Sequence, residues 1–339
     1  MTEKDSMEEL QVQESIDYQG MKAISLRNEY LSLVVIPELG AKIASLMHRP
    51  SQTEWLWTNP NLVLKKPEYG DSYTGQHDTG GVDECFPTIA PVQFPTEPWT
   101  DITIPDHGEL WSQSWDVESV ESTPERVVIS VSCYGVHLPY RFERTITLLA
   151  GENEVHLGYK VTNLSSFALP FLWSIHPLLR IEPGMRLYLP ENVQRIRIDS
   201  STDDFLGELG TSHPWPVVHD NEGNELDLSK VPSSDIARAV KFFAAPLNED
   251  VPVETMLVDP KSKRGLGFRF SPNQITHIGV WMNYGGWAGV EGAAPYYNLG
   301  LEPCIVGADS LEVAVKHWRE AAILQPEQTR IWSLELFLT

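Results

Sequence analysis

Three neighbouring stretches alternate apolar and polar side chains. Val127, Ile129, Val131 and Cys133 share one face, with Ser130 and Ser132 on the other. Tyr140, Phe142, Ile146 and Leu148 oppose Arg141, Glu143, Thr145 and Thr147. Val155, Leu157, Tyr159 and Val161 oppose His156, Lys160 and Thr162. A period of two belongs to strands with one covered face. The turn Ala150-Gly151-Glu152-Asn153 joins two of these strands as a hairpin. A sheet with one apolar face must bury it against another layer, so the pattern restricts the chain to a sheet-on-sheet or sheet-on-helix architecture.

The rest of the chain favours sheet on sheet. Short apolar runs at Met21–Leu26, Tyr30–Ile36 and Lys42–Met47 are punctuated by Arg27-Asn28-Glu29 and by Pro37-Glu38-Leu39-Gly40-Ala41, as in a strand meander. The pattern resumes at Val240–Ala245, Glu254–Val258, Gly265–Phe270 and Ile278–Met282, and closes with Trp332, Leu334, Leu336 and Leu338. One helix is predicted. Asp309 is its N-cap with Glu312 three residues on, and Leu311, Ala314, Val315, Trp318 and Ala322 follow at helical spacing. About fifteen strands and one helix make an all-β fold, a single large antiparallel β-sandwich. Its expected extent is residues 19–339, behind an acidic, flexible arm at residues 1–18.

Charge and cysteine usage narrow the partners. A net charge of −22 repels nucleic acid and anionic membranes, so neither is an expected partner. Three widely spaced cysteines, Cys85, Cys133 and Cys304, form neither a disulfide framework nor a zinc pattern, which fits a reducing, cytoplasmic setting. The acidic N-terminus has no apolar signal segment, and no run of about 18 apolar residues predicts a membrane span. Eleven tryptophans suit a large core, and indole faces also stack on sugars.

Three local pieces carry candidate chemistry. In Leu169–Leu178 the residues Phe171, Trp173 and Ile175 share a face, and Leu172, Ser174 and His176 share the other, with Pro177 expected to end the ladder just after the imidazole. His176 so placed is either a core histidine or a proton-transfer group. His107, in Pro105-Asp106-His107-Gly108-Glu109-Leu110-Trp111, stands where an irregular segment (residues 58–108) gives way to strand. The centre of that segment, residues 76–87, mixes paired glycines, carboxylates and aromatics, as a loop lining a site does. Glu302 ends the apolar run Asn298-Leu299-Gly300-Leu301 and precedes Pro303. A carboxylate in apolar company has a raised pKa unless it is paired, which suits a general base.

His107-Gly108 with Trp115, then Ser174-Ile175-His176-Pro177, then Leu301-Glu302-Pro303, in this order, resemble the aldose 1-epimerase (galactose mutarotase) superfamily. The tail Leu324–Leu334 resembles that family's last turn and strand, so the likeness runs from about residue 20 to the end. It implies a β-supersandwich with its site on one sheet face, Glu302 as general base, His176 as general acid and His107 near the ring oxygen. The reaction would interconvert the α and β anomers of a free sugar by opening and reclosing the ring, without cofactor or metal. His176 protonated and Glu302 ionised in one active form would make the rate bell-shaped in pH. The Asn-Arg pair that holds sugar hydroxyls in galactose mutarotases has no counterpart. Gly80-Gly81-Val82-Asp83-Glu84-Cys85-Phe86-Pro87 stands there instead and resembles the loop of the hexose-6-phosphate mutarotase branch, though without its arginine cluster.

Asp83, Glu84, Trp281, Asn283 and Trp287 are therefore the expected sugar-binding residues, and Asp259, with Asp235 as its alternative, the expected hydroxyl-binding aspartate of the middle region. The expected ligand is an unphosphorylated monosaccharide or sugar derivative. Two other readings compete: a non-catalytic carbohydrate-binding protein on the same fold, and a metal-dependent sugar isomerase using His107, Glu109 and His176. Oligomeric state is not legible in the sequence.

Overall fold

The computed structural model describes residues 10–244, 247, 251–290 and 292–339. Two large antiparallel sheets account for most of the chain. The first has twelve strands. In spatial order they are Gln11–Tyr18, Met21–Arg27, Leu31–Ile36, Lys42–His48, Gly81–Cys85, Trp173–Leu179, Tyr297–Ile305, His277–Tyr284, Arg238–Ala244, Arg195–Ser201 and Ser212–Pro214, with Thr53–Glu54 beside Lys42–His48. The second has eight: Arg186–Tyr188, Val253–Asp259, Arg264–Phe270, Thr329–Leu338, Glu154–Asn163, Tyr140–Leu149, Arg126–Tyr134 and Asp116–Ser122. The sequence-predicted all-β antiparallel sandwich is the fold observed, and all three stretches of strict alternation fall in the second sheet.

Alternation decides which side chains meet between the sheets. Tyr159 and Trp332 point inward from the eight-stranded sheet and meet Trp173 of the other, at ring-centroid distances of 4.8 and 5.0 Å. Phe86 packs on Phe142 across the same gap at 5.6 Å. These rings belong to one continuous apolar cluster that draws on both sheets. Burying a large aromatic contributes roughly 1.5–3 kcal/mol, so this layer is the main stabilising element.

Three local expectations are corrected. Residues 1–9 of the predicted flexible arm lie outside the described residues, while Gln11–Tyr18 forms an edge strand paired with Met21–Arg27. Pro177 does not end its strand, which runs on to Leu179, because the proline pairs toward Val82. The predicted helix is a single wide turn, Val313–Trp318, stopped by Arg319 at φ +57°. Helical residues begin at Leu311, just after Ser310, whose Oγ accepts the Val313 N–H at 3.3 Å. Ala322 belongs instead to the strand Ala322–Leu324, paired with Leu169–Phe171. Helical spacing over-reached here because apolar residues of two different elements happened to fall in phase.

Candidate functional site

Two prolines mark the place where the site forms. The strand Trp173–Leu179 pairs with Tyr297–Ile305 at Trp173↔Ile305 and Ser174↔Cys304, and again at Leu178↔Gly300. Between those points lie Pro177 and Pro303, neither of which has an N–H to give a ladder. In that stretch His176 stands opposite Glu302, and the His176 Nε2 lies 3.8 Å from Glu302 Oε1. The neighbouring strands leave room for the carboxylate by offering glycine: a Cβ on Gly300 would sit 2.7 Å from Glu302 Oε1, and Gly279 lies directly across in register.

His107 arrives from the irregular segment. Its backbone is left-handed, at φ +62°, and its N–H donates to the Ile89 carbonyl at 2.6 Å. Gly108 follows at φ +78°, where a Cβ would lie 2.1 Å from the Phe86 carbonyl oxygen, so only glycine permits that approach. The His107 ring stands edge-on to His176 at 4.9 Å and stacks on Tyr73 at 3.8 Å. Its Nδ1 lies 3.0 Å from Asp106 Oδ1. Tyr73 in turn donates to Asp83 Oδ2 at 2.8 Å, and Asp83 is bound by Lys42 Nζ at 2.5 Å.

Tyr73, Asp106, His107 and His176 edge a groove of about 260 Å³, lined also by Lys241, Trp281, Trp287 and Asp309, with Glu302 buried behind His176 and Lys241. That volume is just below the roughly 300–1,000 Å³ typical of ligand sites, which suits a small molecule. Trp281 and Trp287 meet at 5.7 Å and 89°, giving one wall of indole. The predicted loop region supplies Tyr73, Thr74, Thr79, Ile89, Ala90 and Pro91 to the same groove.

The structure thus brings His107, His176 and Glu302 together, with Trp281 and Trp287 beside them. It does not bring the other predicted residues to the groove. Asp83 is one layer back, consumed by Lys42 and Tyr73. Glu84 faces the opposite way, into the gap between the sheets, because adjacent strand residues alternate. There it takes Arg144 Nη1 at 2.9 Å, Tyr159 Oη at 3.0 Å and Trp173 Nε1 at 2.9 Å. Asn283 is fully buried and ties its own turn, accepting the Gly286 and Trp287 N–H groups and donating to the Trp287 carbonyl. It acts on the groove only by holding Trp287. Asp259 ends a strand of the eight-stranded sheet and accepts the Lys261 and Ser262 N–H groups, lining a separate polar cavity. Asp235 lies in an exposed turn with Ser233. Glu109 of the supposed metal set accepts from His137 N at 2.9 Å, Val136 N at 3.2 Å and Tyr69 Oη at 3.2 Å, outside the groove, so that set is not assembled.

Three site residues were not predicted. Lys241 bonds Glu302 Oε2 and lies 3.6 Å from Asp309 Oδ1. Asp309, read from sequence as a helix cap, enters the groove, and Asp106 backs His107. Lys241 sits in an apolar strand run, Val240–Phe243, where a lysine demands a buried counter-charge, and that was the available signal.

The charges follow from burial and neighbours. Burial, with the nearby His107, Lys241 and Lys42 charges, holds His176 well below the usual imidazole range, so it is neutral at pH 7. Burial would raise Asp106, but the His107 charge beside it outweighs that and keeps the carboxylate ionised. Burial opposes the charge on Lys241, yet Asp309 and Glu302 together hold it well above the usual ammonium range.

The sequence model of the family described as aldose 1-epimerase matches residues 22–192. Solved structures share the fold. A candidate aldose 1-epimerase from Klebsiella pneumoniae superposes with a TM-score of 0.71 at 16% identity, over 97% of this chain and 83% of that one. A galactose mutarotase-like protein from Clostridium acetobutylicum gives 0.64 at 13%, over 98% and 99%. A Synechocystis protein gives 0.64 at 14%, over 96% and 97%.

Proposed function

The chain belongs to the aldose 1-epimerase family, and on that premise we propose that it is a mutarotase, interconverting the anomers of an unphosphorylated aldose by acid–base ring opening. The observation that carries this reading is the convergence of His107, His176 and Glu302 from three distant segments, within 4.9 Å ring to ring and 3.8 Å imidazole to carboxylate. A simple binding site has no need of a carboxylate set against two imidazoles.

Ring opening removes the proton on the C1 hydroxyl and supplies one to the ring oxygen. The C1–O5 bond breaks as the C1 carbonyl forms; rotation about C1–C2 and the reverse steps give the other anomer. The acceptor in the family resemblance is Glu302, whose Oε1 has no hydrogen-bond partner. The donor role suits His107 better than His176. The Asp106 carboxylate lies 3.0 Å from His107 Nδ1 and orients the ring, leaving Nε2 for the ring oxygen. His176 is neutral and buried, and supports the His107 ring edge-on. Positioned acid and base groups each contribute ~10²–10⁴-fold in rate.

An unphosphorylated ligand follows from the charges. Lys241 is the only lysine or arginine lining the groove among the described residues, and Glu302 and Asp309 already meet its charge. A phosphate would find no free cation there and would face Asp106. Saturation-transfer NMR between anomers, run on neutral aldoses and on their 6-phosphates, tests the proposal. Exchange on at least one neutral sugar, and none above background on its phosphate, is expected. Absence of enzyme-dependent exchange on every sugar, with binding retained, would leave a carbohydrate-binding protein instead.

A further inference from the structure

The groove has a counterpart on the other side of its own strands. Lys241 and Trp281 pair in register and both line the groove. Side chains alternate along a strand, so Arg238, Val240 and Tyr284, at odd spacings from those two, fall on the opposite face. There they line a second cavity of about 220 Å³, walled also by Phe205, Leu226, Leu228 and Ile236. Ile236 is 40% exposed, so the cavity opens to solvent beside it.

The lining sets the chemistry of an occupant. The walls are apolar and aromatic, yet Tyr284, itself 6% exposed, carries a hydroxyl with no hydrogen-bond partner among the described residues. Trp332 Nε1 is also unpaired, but its ring is packed against Tyr159 and Trp173, whereas Tyr284 borders open volume. An ordered water needs about two to four polar partners, which apolar side chains do not offer. A ligand oxygen needs only the one hydroxyl. Size follows from volume: an apolar cavity of about 150 Å³ takes up benzene, and about 220 Å³ leaves room for a ring with a short substituent. Each cation at the rim already has its carboxylate, Arg238 at 3.2 Å from Asp220 and Lys230 at 2.8 Å from Asp227. Glu225 adds a further negative charge there. An anion finds no free partner, and a neutral molecule fits.

The same segment supports the groove. The turn that carries Trp287 rests on residues 234–238: a Cβ on Gly285 would lie 2.2 Å from the Ser234 carbonyl oxygen, and one on Gly286 2.2 Å from the Arg238 carbonyl carbon. An occupant set against Ile236, Arg238 and Tyr284 therefore bears on the indole wall across the sheet.

We infer that this cavity is a second ligand site, for a small neutral aromatic compound carrying one hydrogen-bond-accepting oxygen, and that its occupant adjusts sugar binding through the Trp287 turn. The ring fills the space between the apolar walls, and the Tyr284 hydroxyl donates to the oxygen. The site itself stands apart from the mutarotase reading; only its effect on the sugar rests on that reading.

The test uses the full chain with acetophenone as probe and α-methylstyrene, the same shape without the oxygen, as control. Ligand-observed NMR should show wild-type protein binding acetophenone with a Kd of ~1 mM or below, and benzoate should not displace it. Tyr284→Phe should weaken acetophenone ~3–10-fold and leave α-methylstyrene unchanged, a split that simple loss of structure would not give. Ile236→Trp, which fills the mouth, should abolish binding of both, with thermal melts showing both variants folded. In anomer-exchange assays acetophenone should shift the KM for sugar severalfold at unchanged kcat, and should do nothing in Ile236→Trp. No binding to the wild type, binding that survives both substitutions, or displacement by benzoate overturns the site. An equal KM shift in Ile236→Trp places the probe in the sugar groove and overturns it too. Binding as described with KM unmoved overturns the coupling to Trp287. If the wild type exchanges no sugar, the mutarotase reading falls, while the binding measurements still decide the site.

Discussion

Asp83 and Glu84 are neighbours in sequence, yet each anchors a buried ion pair of a different kind. Glu84 enters the gap between the sheets, where Arg144, Tyr159 and Trp173 satisfy it and Arg144 also donates to the Ala41 carbonyl. On the other face, Lys42–Asp83 and Lys241–Glu302 flank the groove with atoms left unpaired: Asp83 Oδ1, His176 Nδ1, Glu302 Oε1 and Asp309 Oδ1. Burial alone therefore does not separate structure from chemistry in this molecule. Nor does completeness of hydrogen bonding, since Arg144 Nε and Trp332 Nε1 are likewise unpaired between the sheets; what separates the two regions is that His107, His176, Lys241 and Asp309 line the groove.

The sharpest way to break that contrast is to remove one member from each region. Glu302→Gln should cut anomer exchange ~10²–10⁴-fold, equivalent to about 3–5 kcal/mol of barrier, with a melting curve close to wild type, since Asp309 still faces Lys241. Arg144→Met should do the reverse. It leaves Glu84 buried and uncompensated, costing about 3–5 kcal/mol of stability in urea denaturation, while the refolded fraction keeps its kcat. A catalytic loss at Arg144 without a stability loss would erase the distinction.

The next effect is smaller and depends on pH. His277 is buried, and burial, with the Arg197 charge, pushes its imidazole down to about 4 from 6.5. The folded protein resists protonation there, while the unfolded chain takes the proton near 6.5. The associated stability is complete above pH 6.5 and is lost as pH falls toward 4, at about 1.4 kcal/mol per unit. His176 contributes with the same sign. Urea titrations at pH 7.5 and pH 4.5 should show this decline, and His277→Gln should flatten it. Least of all, Asp259→Asn should leave kcat unchanged and cost at most about 1 kcal/mol, because it caps a turn far from the groove.

Much of the architecture was legible before any coordinates. Alternation in Val127–Val161 named strands and their inner faces, and the pairing of Tyr159 and Trp332 with Trp173 follows from it. His107, His176 and Glu302 could be singled out because each breaks a local pattern beside a glycine or a proline. Lys241 and Asp309 could not be placed with them. Asp309 stands before an apparent helical repeat and so reads as a cap, and Lys241 looks like an interruption in an apolar run.

The sequence by itself determined the strands, the faces that had to be covered and three residues, two histidines and a glutamate, of types able to move protons. Which carboxylate lines the groove, which histidine is held neutral by burial, and which aspartate ties a distant turn were decided by tertiary structure. Those properties depend on desolvation and on charges a few ångströms away. The chain brings such charges together from positions as far apart as Lys42, Lys241 and Asp309, and no local window of sequence contains them.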